Sequence, residues 1–271
     1  MKIIVSLTTI SERTEIVYYT LLSLINQSIQ ADRVVLNISS SAYLADDGIN
    51  DLPARLKDME VKRLIEVRYV ENIGPYRKLI PIIFECENED IVITCDDDVI
   101  YGSGWLERLL LAEKEYPESI ICGRARIPKY NLWGSRQSYL NWGLAYNNEN
   151  SLDLVPTGVG GVLYKKYLLD MQFLARVDFK ELAPEQDDLW FKQASYKSQT
   201  PVKVVSDLMS QIYEIQTSFG LTQKNFKKTN HTKSLYGTIL FKLSIVQKKL
   251  LGYLGFNVCK NDYVLTSLDK L

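Results

Sequence analysis

The chain has 271 residues, of which 46% are hydrophobic and 24% are charged. These fractions are typical of a folded globular protein and exclude a disordered chain, a collagen-like chain and a small disulfide scaffold. The 32 Lys and Arg residues nearly balance the 33 Asp and Glu residues, which excludes a general polyanion-binding protein.

The sequence predicts a cytoplasmic protein with reduced cysteines. No apolar run approaches the roughly 18 residues of a membrane-spanning helix, and the short apolar start is typical of a first strand rather than of a signal peptide. The four cysteines contain no C-x-x-C pair, and there is a single histidine, so neither a disulfide framework nor a structural zinc site is expected.

Strand-like and helix-like segments alternate through the first half of the chain. Short apolar runs typical of buried strands occur at residues 3–7, 34–38, 64–70 and 91–95. Apolar residues at helical spacing occur between and after them, at residues 16–25, 78–86 and 105–116. This alternation predicts an α/β fold with a mostly parallel sheet flanked by helices, in which ligands bind beyond the carboxyl ends of the strands.

Three consecutive carboxylates, Asp96, Asp97 and Asp98, directly follow the apolar run 91–95. Adjacent acids at a strand end repel one another, and a bound Mg²⁺ or Mn²⁺ would offset that repulsion. Such a metal bridges the phosphates of a nucleotide and neutralises a departing diphosphate. The alternative interpretation is a cluster of acids favoured by the dipole of the helix that begins near Trp105.

Five motifs occur in an order that resembles bacterial nucleotide-sugar-dependent glycosyltransferases of the GT-A fold, similar to family 2. They are VSLTTISER, NIGPYRK, DDD, TGVGGVLY and EQDDLWF, and the resemblance covers roughly residues 1–210. It implies a Rossmann-like GT-A domain over residues 1–214, with a nucleotide-binding half at 1–122 and an acceptor and catalytic half at 123–214. Residues 215–271 would form a basic, helical C-terminal extension.

The resemblance also implies a nucleotide-sugar donor, preferably a UDP-sugar, and residues that hold it. Asp98 is expected to ligate Mn²⁺ or Mg²⁺, with Asp96 as a second ligand or a ribose contact. The expected donor-binding residues are Thr8, Thr9, Arg13, Asn72, Gly74, Pro75, Lys78, Asp96, Asp97, Gly160 and Gly161. From the residues alone, the alternative for Arg13 and for Lys78 is a solvated charge in the first turn of a helix.

The glycines and tryptophans of the middle section allow two interpretations each. The turn Gly158-Val159-Gly160-Gly161 is either a backbone surface against a sugar or phosphate, or a plain loop. Trp133 and Trp142 either stack on a sugar ring or pack in the core.

A second acidic motif, EQDDLWF, contains the expected general base. Acids in the first turn of a helix are favourable for dipole reasons alone, which is the alternative. Functionally, one carboxylate removes the proton of an acceptor hydroxyl as it attacks the anomeric carbon. The resemblance favours Asp188 for this role, with Asp187 second, and a base opposite the leaving diphosphate fits a single displacement with inversion.

The C-terminal arm is strongly basic. Residues 215–261 contain eight lysines and no acid, and apolar residues recur at helical spacing between 235 and 254. This pattern predicts either a basic amphipathic helix on an anionic membrane surface or a helix packed on the domain with its lysines in water. His231 lies in the same arm. The resemblance to GT-A enzymes allows it as a further ligand of the metal at the DDD site, and the alternative is a solvated loop residue.

These observations predict a metal-dependent, inverting glycosyltransferase with no nucleic-acid partner. It would extend a glycan or lipid-linked glycan acceptor in the synthesis of a cell-surface polysaccharide or lipopolysaccharide, at the inner face of the membrane. The alternatives are a haloacid-dehalogenase-like phosphatase or a nucleotidyltransferase that uses the DDD site, and a non-catalytic protein that binds sugar nucleotides.

Overall fold

The structure is a computed structural model that describes residues 1–145, 148–215 and 235–271, with the backbone alone described for 235–243. The chain forms two compact units. The first contains residues 1–126 and 144–215, and the second contains 127–143 together with the described residues after 215. The functional division at residues 122 and 214 stays a prediction.

The first unit is built on a large sheet. The described strands are β1 (Ile3–Thr8), β2 (Arg33–Ile38), β3 (Glu66–Tyr69), β4 (Ile91–Cys95), β5 (Val99–Tyr101), β6 (Ile120–Cys122), β7 (Ala125–Ile127), β8 (Gly143–Leu144), β9 (Asn150–Ser151), β10 (Val155–Pro156), β11 (Val162–Lys165), β12 (Val202–Val204) and β13 (Ile212–Glu214). Eight of them form one sheet in the order β3-β2-β1-β4-β11-β6-β12-β9. Strands β1 to β4 are mutually parallel, β6 and β12 are parallel, and β11 runs antiparallel to both of its neighbours. The predicted mostly parallel sheet is confirmed.

Helices flank this sheet and make up much of the second unit. The described α-helices are α1 (Thr14–Ile25), α2 (Ala54–Val61), α3 (Ile80–Ile83), α4 (Trp105–Glu115), α5 (Met171–Leu174), α6 (Phe179–Leu182), α7 (Asp187–Lys197), α8 (Leu235–Tyr253) and α9 (Lys260–Leu268). None of the helices in the described part of the chain combines the length and the apolar character needed to cross a bilayer.

The central strands form because their residues are apolar on both faces. All five residues of β4 are buried, as expected of a strand covered by helices on each side. Val17, Leu21 and Leu24 of α1 lie in the same buried cluster, as does Trp105 of α4. Each such side chain contributes roughly 1.5–3 kcal/mol when it leaves water, so the sheet edge that carries the site rests on a rigid support.

The helix predicted over residues 78–86 is the clearest local error. A 3₁₀ turn, Gly74–Lys78, is followed by the short helix α3. Pro75 and Pro81 explain the break, because each lacks the N–H that a continuing helix requires and each fits the first turn of a new segment.

In the second unit, α9 is tied to the segment 127–143. The Asp262 carboxylate accepts hydrogen bonds from Ser138 Oγ and from the Tyr139 backbone N–H, each at 2.7 Å. Arg136 pairs with Asp269 at 2.6 Å. These contacts join stretches of chain more than 120 residues apart, which sequence periodicity does not reveal.

Candidate active site

The predicted site residues converge at the edge of the sheet where β1 and β4 end. The two strands are parallel and in register, with Leu7 opposite Cys95, so Thr9 and the three acids emerge side by side. Because β11 is antiparallel, the glycine turn before it enters the sheet at that same edge. The first turn of α7 brings the second acidic motif there, since its Asp188 contacts the backbone of Gly158.

The middle acid, Asp97, is held inside the protein. Its carboxylate accepts hydrogen bonds from Thr9 Oγ1 at 2.6 Å and from Arg13 Nη1 at 2.7 Å, while its backbone oxygen accepts from Thr20 Oγ1 at 2.8 Å. Burial raises the pKa of Asp97, and the charge of Arg13 opposes that rise. These contacts fix the loop from within, so its flanking acids, Asp96 and Asp98, are the partly exposed ones.

The carboxylates of Asp96 and Asp98 could supply two ligands to a divalent cation whose other ligands come from substrate or water. Burial and then the neighbouring charge of Asp97 raise the pKa of Asp98 to about 6, although Arg13 lies 3.4 Å away. A second positive charge would relieve that repulsion, and Mg²⁺ commonly takes one or two carboxylates together with substrate phosphates and water. Among the described residues, no group of three or more His, Cys, Asp or Glu side chains could hold a metal by itself. His231 lies outside the described residues.

Lys78 connects the two acidic motifs. Its buried ammonium lies 2.9 Å from Asp187, 3.5 Å from Asp96 and 3.9 Å from Asp188. Burial alone would lower the pKa of Lys78, but the three carboxylates together raise it well above its usual value. Lys78 therefore stays charged, and the interpretation as a solvated helix charge is wrong because the side chain is buried.

Asp188 has the environment of a general base. It is partly exposed, and it accepts a hydrogen bond from the Gly158 backbone N–H at 3.2 Å. Burial and then the charge of Asp187 raise the pKa of Asp188 to about 7, close to the pH at which a carboxylate base transfers protons efficiently. Asp187 is buried against Lys78, so Asp188 is the better placed of the two to reach a substrate.

The glycine turn packs closely on its surroundings. A Cβ at Gly158 would lie 2.7 Å from the Asp96 carboxylate, so only glycine lets this backbone approach the acids. Gly160 and Gly161 have φ of +103° and +86°, and the Gly160 oxygen accepts a hydrogen bond from Trp105 Nε1 at 2.7 Å. Packing thus explains Gly160 and Gly161, and their contact with a donor stays a prediction.

Sequence reasoning missed the buried pair of Arg77 and Asp46. Their side chains lie 2.8 Å apart with almost no exposure, and Arg77 also donates to the Thr9 backbone oxygen at 3.2 Å. Asn72 donates to the same Asp46 carboxylate at 3.2 Å and accepts from the Gly74 N–H at 3.1 Å. The pair therefore joins the loop after β1 to the NIGPYRK segment. Arg77 lies in the NIGPYRK motif next to Lys78, and that position could have marked it as a candidate site residue. Asp46 lies 31 residues away from Arg77 and belongs to no recognisable motif.

The remaining predicted residues have mainly structural contacts. Thr8 Oγ1 donates to the Asn37 backbone oxygen at 2.7 Å. Pro75 is the second residue of the 3₁₀ turn that carries Lys78. In the second unit, Trp142 is buried and donates to the Gln137 backbone oxygen at 2.9 Å, whereas Trp133 is largely exposed.

Comparisons with known proteins bear on the fold. No protein-family model matches the chain, and no curated protein matches it by sequence. Among solved structures, S. aureus TarS residues 1–349 in complex with UDP-GlcNAc matches with a TM-score of 0.54 and 16% identity, over 99% of this chain and 71% of that one.

The chain has a GT-A fold. A longer TarS structure matches with a TM-score of 0.50 and 16% identity, over 95% of this chain and 44% of that one. A further TarS structure matches with a TM-score of 0.49 and 19% identity over 76% of this chain, which spans only 58% of the length of that neighbour. The predicted fold class is confirmed.

Proposed function

We propose that this protein is a metal-dependent, inverting glycosyltransferase that uses a UDP-sugar as donor. One observation carries the proposal: the buried ammonium group of Lys78 lies between the two acidic motifs. Its nitrogen is 3.5 Å from the Asp96 carboxylate and 3.9 Å from the Asp188 carboxylate. This arrangement sits at the carboxyl ends of parallel strands, where α/β folds bind ligands. The GT-A fold shared with TarS, which was solved with UDP-GlcNAc, supports a nucleotide-sugar donor.

The proposed roles follow from the environments of the acids. When bound, Mn²⁺ or Mg²⁺ would be held by Asp98 and Asp96 and would neutralise charge on the departing diphosphate. Asp188 accepts the proton of the acceptor hydroxyl as the acceptor oxygen bonds to the anomeric carbon. The bond from that carbon to the diphosphate oxygen breaks in the same displacement, so UDP departs and the configuration inverts.

The donor-binding roles expected from the sequence remain part of the proposal. Arg13 is held by its ion pair with Asp97 and lies 3.4 Å from Asp98. We propose that its positive charge attracts the phosphates of the donor beside the metal position. The other proposed donor contacts are Thr8, Thr9, Asn72, Gly74, Pro75, Lys78, Gly160 and Gly161. For Asp97, we propose an indirect role, because its own oxygens are engaged by Thr9 and Arg13.

We further propose that the acceptor is a glycan or lipid-linked glycan in the synthesis of a cell-surface polysaccharide or lipopolysaccharide. Residues 1–214 would perform the transfer, and the protein would work in the cytoplasm at the inner face of the membrane. The basic arm predicted from the sequence supports this location through its attraction to anionic lipid.

The test is the product released with Mn²⁺ from three sets of substrates: nucleotide sugars with candidate acceptors, nucleoside triphosphates with sugar phosphates, and simple phosphate esters. Release of UDP supports glycosyl transfer, whereas pyrophosphate indicates a nucleotidyltransferase and inorganic phosphate from simple esters indicates a phosphatase. Asp188→Asn should abolish transfer but preserve Mn²⁺-dependent binding of UDP, measured by calorimetry. Asp51→Asn is the matched control, because Asp51 is exposed and its ion pair among the described residues is with Lys57, and it should leave both unchanged. Normal turnover in Asp188→Asn would exclude this base.

Asp98→Ala tests the metal site separately. We expect loss of the Mn²⁺-dependent part of UDP affinity, because Asp98 is the proposed direct ligand. UDP that binds equally well with and without Mn²⁺, in both the wild type and the variant, would contradict metal dependence.

A further inference from the structure

A rigid turn in the second unit presents two large apolar side chains to water. Leu132 is 89% exposed and Trp133 is 71% exposed. The turn is well ordered: Asn131 Oδ1 accepts the backbone N–H groups of Trp133 at 3.0 Å and Ser135 at 2.9 Å, and Gly134 has φ of +79°. The exposure is therefore built into the fold, since a closed network of hydrogen bonds holds these positions outward.

The turn lies beside the end of α8. Asn131 Nδ2 donates to the Tyr253 backbone oxygen at 3.1 Å, and the rings of Trp133 and Tyr253 contact edge to face at 6.5 Å. A Cβ at Gly255 would lie 3.4 Å from Ser135 Cβ. The two segments therefore form one continuous piece of surface.

Helix α8 adds an exposed apolar stripe to this surface. Val246 and Leu250 are four residues apart and share one face of the helix. Leu254 follows directly after the helix, where its backbone N–H donates to the Leu250 oxygen at 3.1 Å, and all three side chains are exposed. Gly252 lies on another face of the helix, where a Cβ would be 2.7 Å from Ser138 Cβ. We call the combined surface the apolar turn–helix face; it consists of Leu132, Trp133, Val246, Leu250, Leu254 and Phe256.

The charge around this face is positive. Residues 127–143 and 235–271 contain seven Lys and Arg against two Asp, a net charge of +5. Asp262 is buried and hydrogen-bonded, and Asp269 is paired with Arg136. Lys248 and Lys249, on the same helix as the stripe, are exposed. The second unit therefore favours an anionic partner.

We propose that the apolar turn–helix face binds the surface of an anionic lipid bilayer, with Leu132 and Trp133 inserted at the headgroup level. Trp is enriched at membrane interfaces because its ring is apolar and its N–H is polar. Exposed basic residues add attraction to anionic lipid. The turn extends the interaction beyond the basic arm that the sequence predicts, and the proposal does not rest on glycosyl transfer.

A bilayer fits this face better than a second copy of the chain does. In a symmetric dimer the same patch meets itself, so the net positive charge of this unit would be brought close to an equal positive charge on the other copy. Like charges brought together in this way cost free energy, whereas the negative surface of anionic lipid offsets them.

Tryptophan fluorescence gives a direct test. Trp105, Trp142 and Trp190 are buried, so among the four tryptophans of the chain Trp133 is the one that vesicle binding would move from water into lipid. Adding vesicles of phosphatidylglycerol and phosphatidylcholine to the full-length protein should shift the emission to shorter wavelength. Vesicles of phosphatidylcholine alone should bind much more weakly. Trp133→Phe should still sediment with anionic vesicles but lose the spectral shift.

Two sets of variants locate the surface. Leu132→Ser with Trp133→Ser should weaken vesicle binding about tenfold or more, because two large apolar side chains no longer enter the lipid. The matched control is Val61→Ser with Leu111→Ser, two exposed apolar residues of the first unit, and it should bind as the wild type does. Lys248→Ala with Lys249→Ala should weaken binding to anionic vesicles by up to about thirtyfold.

The outcomes separate this proposal from the catalytic one. Asp188→Asn should keep full vesicle binding even where transfer is lost. Failure of the wild type to sediment with anionic vesicles, or an unshifted spectrum in bound protein, would overturn the proposal. A wild-type dimer that becomes monomeric in the Leu132→Ser, Trp133→Ser variant and ignores vesicles would assign the face to a second copy instead.

Discussion

Lys78→Met removes a buried ammonium that faces three carboxylates, and we expect it to destabilise the fold strongly. At an effective dielectric constant of about 20, the separations of 2.9 to 3.9 Å correspond to about 4–6 kcal/mol of gross attraction per pair. The cost of taking these charges out of water offsets most of that attraction. Removing one partner leaves the others uncompensated, and such changes cost about 3–5 kcal/mol.

The loss of stability should depend on pH. Lys78 lowers the pKa of Asp188, which burial and Asp187 already raise to about 7. Without the ammonium, the pKa of Asp188 in the folded protein lies further above its value of about 4 in the unfolded chain. A carboxyl group whose folded pKa is raised loses stability as pH rises, so the destabilisation by Lys78→Met should be greater at pH 8 than at pH 6.

Urea unfolding at the two pH values measures this effect. The control is Lys62→Met, because Lys62, directly after α2, forms an exposed pair with Asp58 four residues earlier, and such pairs contribute at most about 0.5 kcal/mol. A Lys78→Met variant that loses less than about 1 kcal/mol at pH 8, no more than a surface pair would, refutes the buried cluster as described.

Three further predictions concern neighbouring residues. If Asp188 is the base, kcat/KM should rise with pH up to about 7 and level off above it, because the carboxyl must be ionised; a profile flat from pH 5.5 to 9 would exclude this assignment. Burial lowers the pKa of Lys192 to about 8, so the folded lysine loses its proton at a lower pH than the unfolded one does. Between pH 7 and pH 10.5 the free energy of unfolding of the wild type should therefore rise by about 3 kcal/mol relative to that of Lys192→Met. Curves of unfolding free energy against pH that run parallel for the two proteins, measured with urea, would contradict this. Gly161→Ala should lower the free energy of unfolding by about 2–4 kcal/mol, since the new Cβ would lie 2.5 Å from the Trp105 ring. Gly134→Ala is the control: Gly134 has a similar φ but open space around it, so this change should cost only about 1 kcal/mol. Equal losses in the two variants would show that packing on Trp105 is unimportant.

The sequence predicts the parallel part of the sheet well because local patterns define it. The apolar run Ile91–Cys95 matches β4 residue for residue, and the three acids follow directly. Short-range spacing also identifies the glycine turn and the first turn of α7. These features depend on residues close together in the chain, where periodicity and turn chemistry act.

What the sequence did not predict depends on distant contacts. The antiparallel direction of β11 is set by its pairing with β4 and β6, which no local pattern encodes. The pair of Arg77 and Asp46 consists of two residues that are usually exposed, and only the fold shows that they are buried. Likewise, the association of Ser138 with Asp262 links residues 124 positions apart.

The hydrogen bonds that hold Asp97 inside the protein affect the free energy with which a ligand could bind. Thr9, Arg13 and Thr20 fasten the aspartate run before any substrate arrives, so its conformational entropy is lost during folding. A donor bound there as proposed would cost the loop little further conformational entropy, so more of the contact energy would remain as affinity. Loosening the anchor with Thr20→Val would therefore weaken donor affinity without touching a single donor contact.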